Sequence, residues 1–410
     1  MKQRAILHSD ANCFYASVET VLNPSLRGKA VAVCGNPENR HGIVLAKSEK
    51  AKKAGVKTGM AVWQAKQCCD DLIVVEPQYE YYLKFSKLLH GIYKRYTDQV
   101  EPFGMDECWL DVTHTPRDPM EIAEEIRAAV KEELGLTVSI GVSFNKVFAK
   151  LGSDMKKPDA ITEITPGNFQ EKVWPLPCSD LLYCGPATTA KLERICVKTI
   201  GDIARLDPRT MRDKFGKNGQ ALWQYANGLD LSRVAHQDYC VPAKSVGHGI
   251  TCRQDLDDLF EAEQVIMSLV QDIGYKLRAM NLRANGVSLM VRDNGLFFYG
   301  WQDKFEVATQ SELTIGKKAL EILKQRYSWT SKIRALTVTA INLEEADKPQ
   351  QTQLFYDYEK HMRQGKLERS VDVIRDKFGK KAILPAVVLN EKKMPTNSDH
   401  EIIMPGLMYK

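Results

Sequence analysis

Hydrophobic residues recur along this chain with two alternating periods, and each change of period marks a new element. Ala5-Ile6-Leu7 opens a strand over 4–10, and a helix follows over 14–22. Tyr82, Phe85, Leu88, Leu89, Ile92, Tyr93 and Tyr96 recur at helical spacing and predict a long helix over 79–97. Val100 to Phe103 then leads into a bend at Gly104-Met105, and Cys108, Leu110 and Val112 alternate on the way out, as in a hairpin. A helix over 119–134 and a strand over 137–142 complete the unit. With 25–75 set aside as an insertion, the order is β-α-β-β-α-β, the ferredoxin-like arrangement. That topology would bring the end of the first strand close to the turn between the second and third.

The same order returns over 244–345. KSVGHGIT reads as a strand, and Leu259, Ala262, Val265, Ile266, Leu269, Ile273 and Leu277 make one apolar stripe of a helix. GVSLMVR and LFFYGW flank Asp293-Asn294-Gly295, a hairpin turn signal. A helix over 312–327 and a strand over 333–341 close this second unit. Between the two units, 178–243 reads as short helices with turns at Cys184-Gly185-Pro186 and around Gly216 to Gly219. From Glu344 the chain turns polar. A helix is expected near 357–364, followed by SVDVIRDKFGKKAIL and a weakly patterned end.

At 410 residues the chain exceeds one ordinary core and should hold about two to four domains. Its net charge of +5 is modest, and basic and acidic side chains balance over the first 170 residues. Any basic surface must therefore be local. None of the ten cysteines forms a CxxC pair, so they read as reduced thiols of a cytosolic protein. No signal-peptide core is evident, and no apolar run approaches the roughly 20 residues a membrane helix needs. A soluble, cytoplasmic protein is expected.

Within the first hairpin, Asp106 and Glu107 stand side by side. Adjacent carboxylates repel, and a strand tip keeps such a pair when cations neutralise it. Hard dications such as Mg²⁺ take carboxylate oxygens together with substrate phosphates. A solvated turn is equally rich in Asp and Glu. The matching context of Asp10, at the end of the first strand and just before a helix, favours the metal. Lysines gather in IVLAKSEKAKKAGVKT, with Glu49 against them, and in SFNKVFAKLGSDMKKPDA, where Lys146 and Lys150 share a helix face. Solvated helix faces or a polyphosphate cradle account for both stretches. No GxxxxGK occurs, which argues against P-loop chemistry.

HSDANCFYASVE, GMDECWLDV and SFNKVFAKLGSDMKKP, in that order, resemble the three signatures of the Y-family DNA polymerases, the error-prone lesion-bypass enzymes of the DinB/UmuC kind. The likeness runs from residue 5 to at least 345. It implies an α+β multidomain right hand: a ferredoxin-like palm over 1–24 and 76–170, small inserted fingers over 25–75, a helix-hairpin-helix thumb over 171–243, a second βαββαβ little-finger domain over 244–345, and a tail over 346–410. By the same resemblance Asp10, Asp106 and Glu107 are the catalytic carboxylates. With the carbonyl of Ala11 they would hold two Mg²⁺ ions, for which Mn²⁺ could substitute. The amides of Cys13 and Phe14 would meet the triphosphate, Lys52 and Lys157 would hold its phosphates, and Tyr15 would be the steric gate beneath the sugar. Glu49 stands where many relatives carry tyrosine, and a carboxylate there is expected to point away from the triphosphate. Ile43 would roof the nascent base pair.

DLLYCGPATTAKLERICVKTIGDI resembles a helix-hairpin-helix, with Ala187 in place of its second glycine; a plain helical connector fits it too. Gln351-Thr352-Gln353-Leu354-Phe355 resembles the QxxLF peptide that docks replication proteins on the sliding clamp, with Gln351, Leu354 and Phe355 as anchors. The implied partners are primer-template DNA, dNTPs and that clamp, with no membrane and a monomeric chain. A nucleotide cyclase also sets metal-binding acids on a ferredoxin-like core, but without a second DNA-gripping module. A non-catalytic descendant of a polymerase would have lost at least one of the three acids.

Overall fold

The computed structural model describes residues 3–36, 42–349, 357–389 and 393–395. The chain divides into two compact units, with the boundary between Cys240 and Val241. The first unit is built on a five-stranded sheet in the order Val100–Pro102, Glu107–Asp111, Ile6–Ala11, Val138–Ser143 and Ile161–Ile164. The first four of these strands have the expected ferredoxin-like order. The fifth is an addition that the hydrophobic pattern did not reveal, pairing parallel to Val138–Ser143.

Alternation decides what each face of this sheet does. Leu7 and Ala11 of the first strand turn into the main core with Tyr82, Leu89, Ile92, Ile122 and Ile126 from the helices Tyr79–Tyr93 and Pro119–Leu134. Ile6 packs instead with Trp109 and Ala149 on the opposite side, so His8 and Asp10 share that side. Asp118 caps the helix Pro119–Leu134 by accepting from the Met120 amide at 2.6 Å, and Gly135 ends it at φ 66°. The helix expected over 79–97 stops at Tyr93 instead. There Arg95 and Tyr96 bond three residues back, tightening the last turn.

The helix Lys146–Met155 covers the polar side of the sheet and does so at unusually close range. A methyl group at Gly141 would lie 1.9 Å from the Ala149 carbonyl oxygen and 2.6 Å from the Ser153 amide. Only a residue without a side chain permits that approach. It sets Lys150 and Ser153 directly over the strand that carries His8 and Asp10.

The insertion folds on its own core of Ala30, Ala32, Val44, Ala51, Ala65 and Leu72. Its three strands run in the order Val44–Lys47, Val31–Cys34 and Ile73–Val75, with the helices Glu49–Lys53 and Val62–Cys68 against them. Residues 178–243 hold the helices Pro186–Glu193, Ile200–Arg205 and Pro208–Ala226, the last bent at Gly216. Ahead of the Gly185 turn stands a single 3₁₀ turn, Cys178–Asp180.

In the second unit four antiparallel strands run in the order Phe298–Thr309, Leu282–Asp293, Ile333–Glu345 and Ser245–Leu256. The helices Leu259–Ala279 and Glu312–Arg326 supply one side of its core. The tail differs from expectation: one helix runs from Tyr358 to Phe378 instead of stopping near 364. Polar groups dock it. Arg278 donates to Asp372 at 2.5 and 2.8 Å and to Glu368 at 3.1 Å, and Ser311 donates to Glu368 at 2.7 Å. A helix held by buried ion pairs has no apolar stripe for a periodicity argument to find.

Two glycine substitutions test this packing. Gly141→Ala should cost about 1–3 kcal/mol or more through overpacking against Lys146–Met155. Gly91→Ala, on an exposed helical position with nothing within 4 Å of the added methyl, should stabilise by roughly 0.5–1 kcal/mol. Melting midpoints that shift in opposite directions are the expected result.

Candidate active site

Strand register puts Asp10 directly opposite Glu107, and the Ala11 amide donates to the Asp106 carbonyl at 3.0 Å. In an extended residue the amide and carbonyl point to the same edge, so the Ala11 carbonyl is turned toward the Asp106 strand as well. The three carboxylates thus lie on adjoining strand ends. The ammonium of Lys157 lies 2.7 Å from Asp10 Oδ2 and 2.9 Å from Asp154 Oδ1. Lys150 Nζ lies 2.8 Å from Glu107 Oε1, 3.4 Å from Asp10 Oδ2 and 3.3 Å from Asp154 Oδ2.

The electrostatics follow from burial and crowding. Burial, then the charge of Asp10, pushes the Asp106 carboxyl up to about 6. Burial raises Glu107 as well, against the pull of Lys150. For Lys157, burial favours the neutral amine, but Asp10 and Asp154 outweigh it and keep the ammonium protonated above its ordinary range. Behind Glu107, burial and then Lys150 hold His8 neutral; its Nδ1 lies 2.9 Å from Ser153 Oγ and its Nε2 3.7 Å from Glu107 Oε2.

Divalent cations suit this donor set. All three side chains offer hard carboxylate oxygens, and the ammoniums of Lys150 and Lys157 lie against Asp10 and Glu107. Among the described residues no three acidic, imidazole or thiol groups converge on a single ion position.

A second group forms where the inserted lobe meets the first helix. Cys13 adopts the left-handed conformation, φ 50°, immediately before the helix Phe14–Leu22. Phe14 is buried, and Tyr15 stacks on Tyr82 with ring centres 4.2 Å apart and planes 11° apart. The Tyr15 hydroxyl donates to Met105 Sδ at 3.1 Å. Glu49 corrects an expectation. It does not point away: its Oε1 accepts from the Cys13 thiol at 3.2 Å and lies 3.8 Å from Lys52 Nζ. Ser48 caps that five-residue helix, which places Glu49 in the first turn, on the side of Cys13. Lys52 and Ile43 are half exposed.

The structure therefore brings Asp10, Asp106, Glu107 and Lys157 together, and sets Cys13 and Lys52 on either side of Glu49. Gln351, Leu354 and Phe355 lie outside the described residues. Sequence reasoning missed Asp154 and His8. Both left a signal: Asp154 is four residues after Lys150 on one helix, and His8 is two residues before Asp10 on one strand.

Clustered carboxylates at paired strand ends, flanked by lysines and a helix N-terminus, suit an enzyme of phosphoryl transfer. The comparisons narrow that class. The impB/mucB/samB family pattern matches residues 9–154, and the pattern of its C-terminal domain matches 243–354. The chain is 45% identical over 393 residues to a DNA polymerase IV of Acetivibrio thermocellus, covering 95% of this chain and 98% of that relative. It is 33% identical over 402 residues to DNA polymerase IV 1 of Bacillus subtilis, covering 96% and 95%. Its fold matches a solved Y-family DNA polymerase chimera with a TM-score of 0.75 at 23% identity, over 83% of this chain and 99% of that one. The chain belongs to the impB/mucB/samB family, together with these DNA polymerase IV relatives.

Raised carboxyls carry a sign for stability. The metal-free fold binds the protons of Asp106 and Glu107 more tightly than the unfolded chain does. Their contribution to stability is complete below about pH 4 and is lost as pH rises through about 6 for Asp106 and about 7 for Glu107. Chelator-treated protein should lose melting temperature between about pH 5 and pH 8, and Asp106→Asn should lose less. Added Mg²⁺ should raise the melting temperature more at the upper end of that range, since it binds the deprotonated acids.

Proposed function

We propose that this chain is a DNA-directed DNA polymerase that inserts dNTPs opposite damaged or undamaged template, error-prone and without proofreading, in translesion synthesis. The observation that carries the reading is the placement of Asp10 opposite Glu107, with Asp106 beside them, in a chain whose relatives are DNA polymerases IV. Asp10, Asp106, Glu107 and the Ala11 carbonyl would hold two Mg²⁺ ions, with Mn²⁺ able to substitute. When bound, the dications supply charge stabilisation to the attacking and leaving oxygens of an in-line displacement.

Everything else is positioning by the chain's own groups. The Cys13 and Phe14 amides, at a helix N-terminus, present donors to the triphosphate. Lys52 sits within reach of the same end, and the Lys157 ammonium exchanges its contact with Asp10 for a phosphate oxygen. Tyr15 closes the floor under the deoxyribose and leaves no room for a 2′-hydroxyl. We assign the palm to 1–24 and 76–170, the fingers to 25–75, the thumb to 171–243 and the little finger to 244–345. The last two grip primer-template DNA through backbone amides and scattered basic residues, independent of sequence. Gln351, Leu354 and Phe355 dock the monomeric enzyme on the sliding clamp. It works in the cytoplasm, on the nucleoid when engaged.

Primer extension with single dNTPs on plain and lesion-bearing templates tests the assignment. Asp106→Ala and Glu107→Ala should each lower nucleotide addition by roughly two to three orders of magnitude or more while primer-template binding persists. Parent-like extension by both variants would falsify it. For the clamp peptide, Leu354→Ala with Phe355→Ala removes two apolar anchors, a change that typically costs a few kcal/mol, about 2 or more. Stimulation by the clamp should vanish while clamp-free synthesis holds. Clamp-dependent synthesis that survives the double change places the docking site elsewhere.

A further inference from the structure

Beneath the Tyr15 ring lies a buried arrangement that the reaction itself does not use. Tyr15 and Glu19 are one turn apart on the same face of the helix Phe14–Leu22. Across from them, Gln78 and Tyr82 are one turn apart at the start of the helix Tyr79–Tyr93. The two pairs meet face to face. Tyr82 stacks on Tyr15, and its hydroxyl donates to Glu19 Oε1; Gln78 Nε2 donates to Glu19 Oε2 at 2.8 Å. Tyr79 closes a further side, edge-on to both rings. Glu19 is 4% exposed and Tyr82 is fully buried.

A carboxylate is costly to bury unless donors satisfy it, and a core residue at position 19 could have been apolar. Glu19 is retained at a place where its two oxygens fix a single ring. Gripped at its hydroxyl, Tyr82 cannot slide or tilt, and it is the surface on which Tyr15 rests. Burial and the Glu19 contact both push the Tyr82 phenol above its ordinary range, so it remains a donor. At its other end the Tyr15 ring is stopped by Met105, whose own carbonyl accepts from Ser86 Oγ at 2.5 Å.

We propose that Glu19 is a positioning residue for sugar selection, acting through Tyr82 to hold the Tyr15 ring at the height that excludes a 2′-hydroxyl. The proposal rests on the reading of Tyr15 as the steric gate. Without the grip, the Tyr82 ring gains freedom, the Tyr15 ring settles, and the gap above it widens. A group that excludes a ligand by contact loses its power over small displacements, because steric repulsion falls off within a fraction of an ångström.

The test is a double-mutant cycle on the full-length enzyme, reading the ratio of kcat/KM for dNTP to that for the matching rNTP. Glu19→Ala and Tyr82→Phe should each lower that ratio about tenfold, and combining them should lower it no further. Tyr82→Phe keeps the buried ring, so it reports on the grip even if Glu19→Ala folds poorly. Glu19→Gln, whose amide oxygen still accepts from Tyr82, should keep the ratio near that of the parent. A purely structural defect lowers both rates together and leaves the ratio unmoved. Tyr15→Ala, run alongside, separates the two readings. If it lowers the ratio while Glu19→Ala and Tyr82→Phe do not, or if those two act additively, the positioning role is overturned. If Tyr15→Ala leaves the ratio unchanged, the gate reading fails and the positioning role falls with it.

Discussion

Mutual repulsion among Asp10, Asp106 and Glu107 is the constraint around which the first unit is arranged. Their backbone positions are set by strand pairing, Asp10 facing Glu107 across an antiparallel ladder, so the acids cannot move apart without breaking the sheet. The fold meets that repulsion with charge. Lys150 and Lys157 bring two ammonium groups into the cluster, and Asp154 bridges both lysines. Even so, burial first and the charge of Asp10 second push the Asp106 carboxyl up to about 6. A site left acidic in this way is one that gains by binding dications.

Delivering those ammoniums depends on how near one helix can come to one sheet. Gly141 has no side chain to hold Lys146–Met155 away, and Gly152 lies against it from the helix side, so the backbones nearly touch. Even a methyl group would lift the helix and draw Lys150 away from Glu107. The geometry of the site is therefore coupled to close packing at a position that carries no chemistry. Interiors of native density transmit such small changes over several ångströms.

Buried ion pairs also organise the second unit. Arg278 meets Asp372, Glu368 and Glu312 where the tail helix lies against the core. Such pairs seldom add much net stability, because the charges must be desolvated first. They do fix register, since a shift of the helix by one residue would leave a guanidinium and several carboxylates unmatched. The same economy appears at Glu19, where a buried carboxylate fixes the place of a single aromatic ring. In both places polar groups specify geometry where apolar contacts alone would tolerate sliding.

Much of the architecture was legible before any coordinates. Apolar residues at spacings of two and of three to four gave both βαββαβ orders. Asp10, Asp106 and Glu107 stood out because adjacent acids at strand ends are costly without cations, and ferredoxin-like topology alone placed the two strand ends together. What remained hidden depended on contacts between residues far apart in the chain. The fifth strand, Ile161–Ile164, is short and carries no distinctive alternation, and its identity comes from its neighbour. Glu49 meets a partner, Cys13, that is far from it along the chain, and the tail helix carries Glu368 and Asp372, past the end expected near 364, onto Arg278. Local sequence determines periods, caps and turns, since those depend on neighbours a few residues away. Tertiary structure alone decides which buried charges meet, because desolvation and Coulomb energy depend on distance in space and not on distance along the chain.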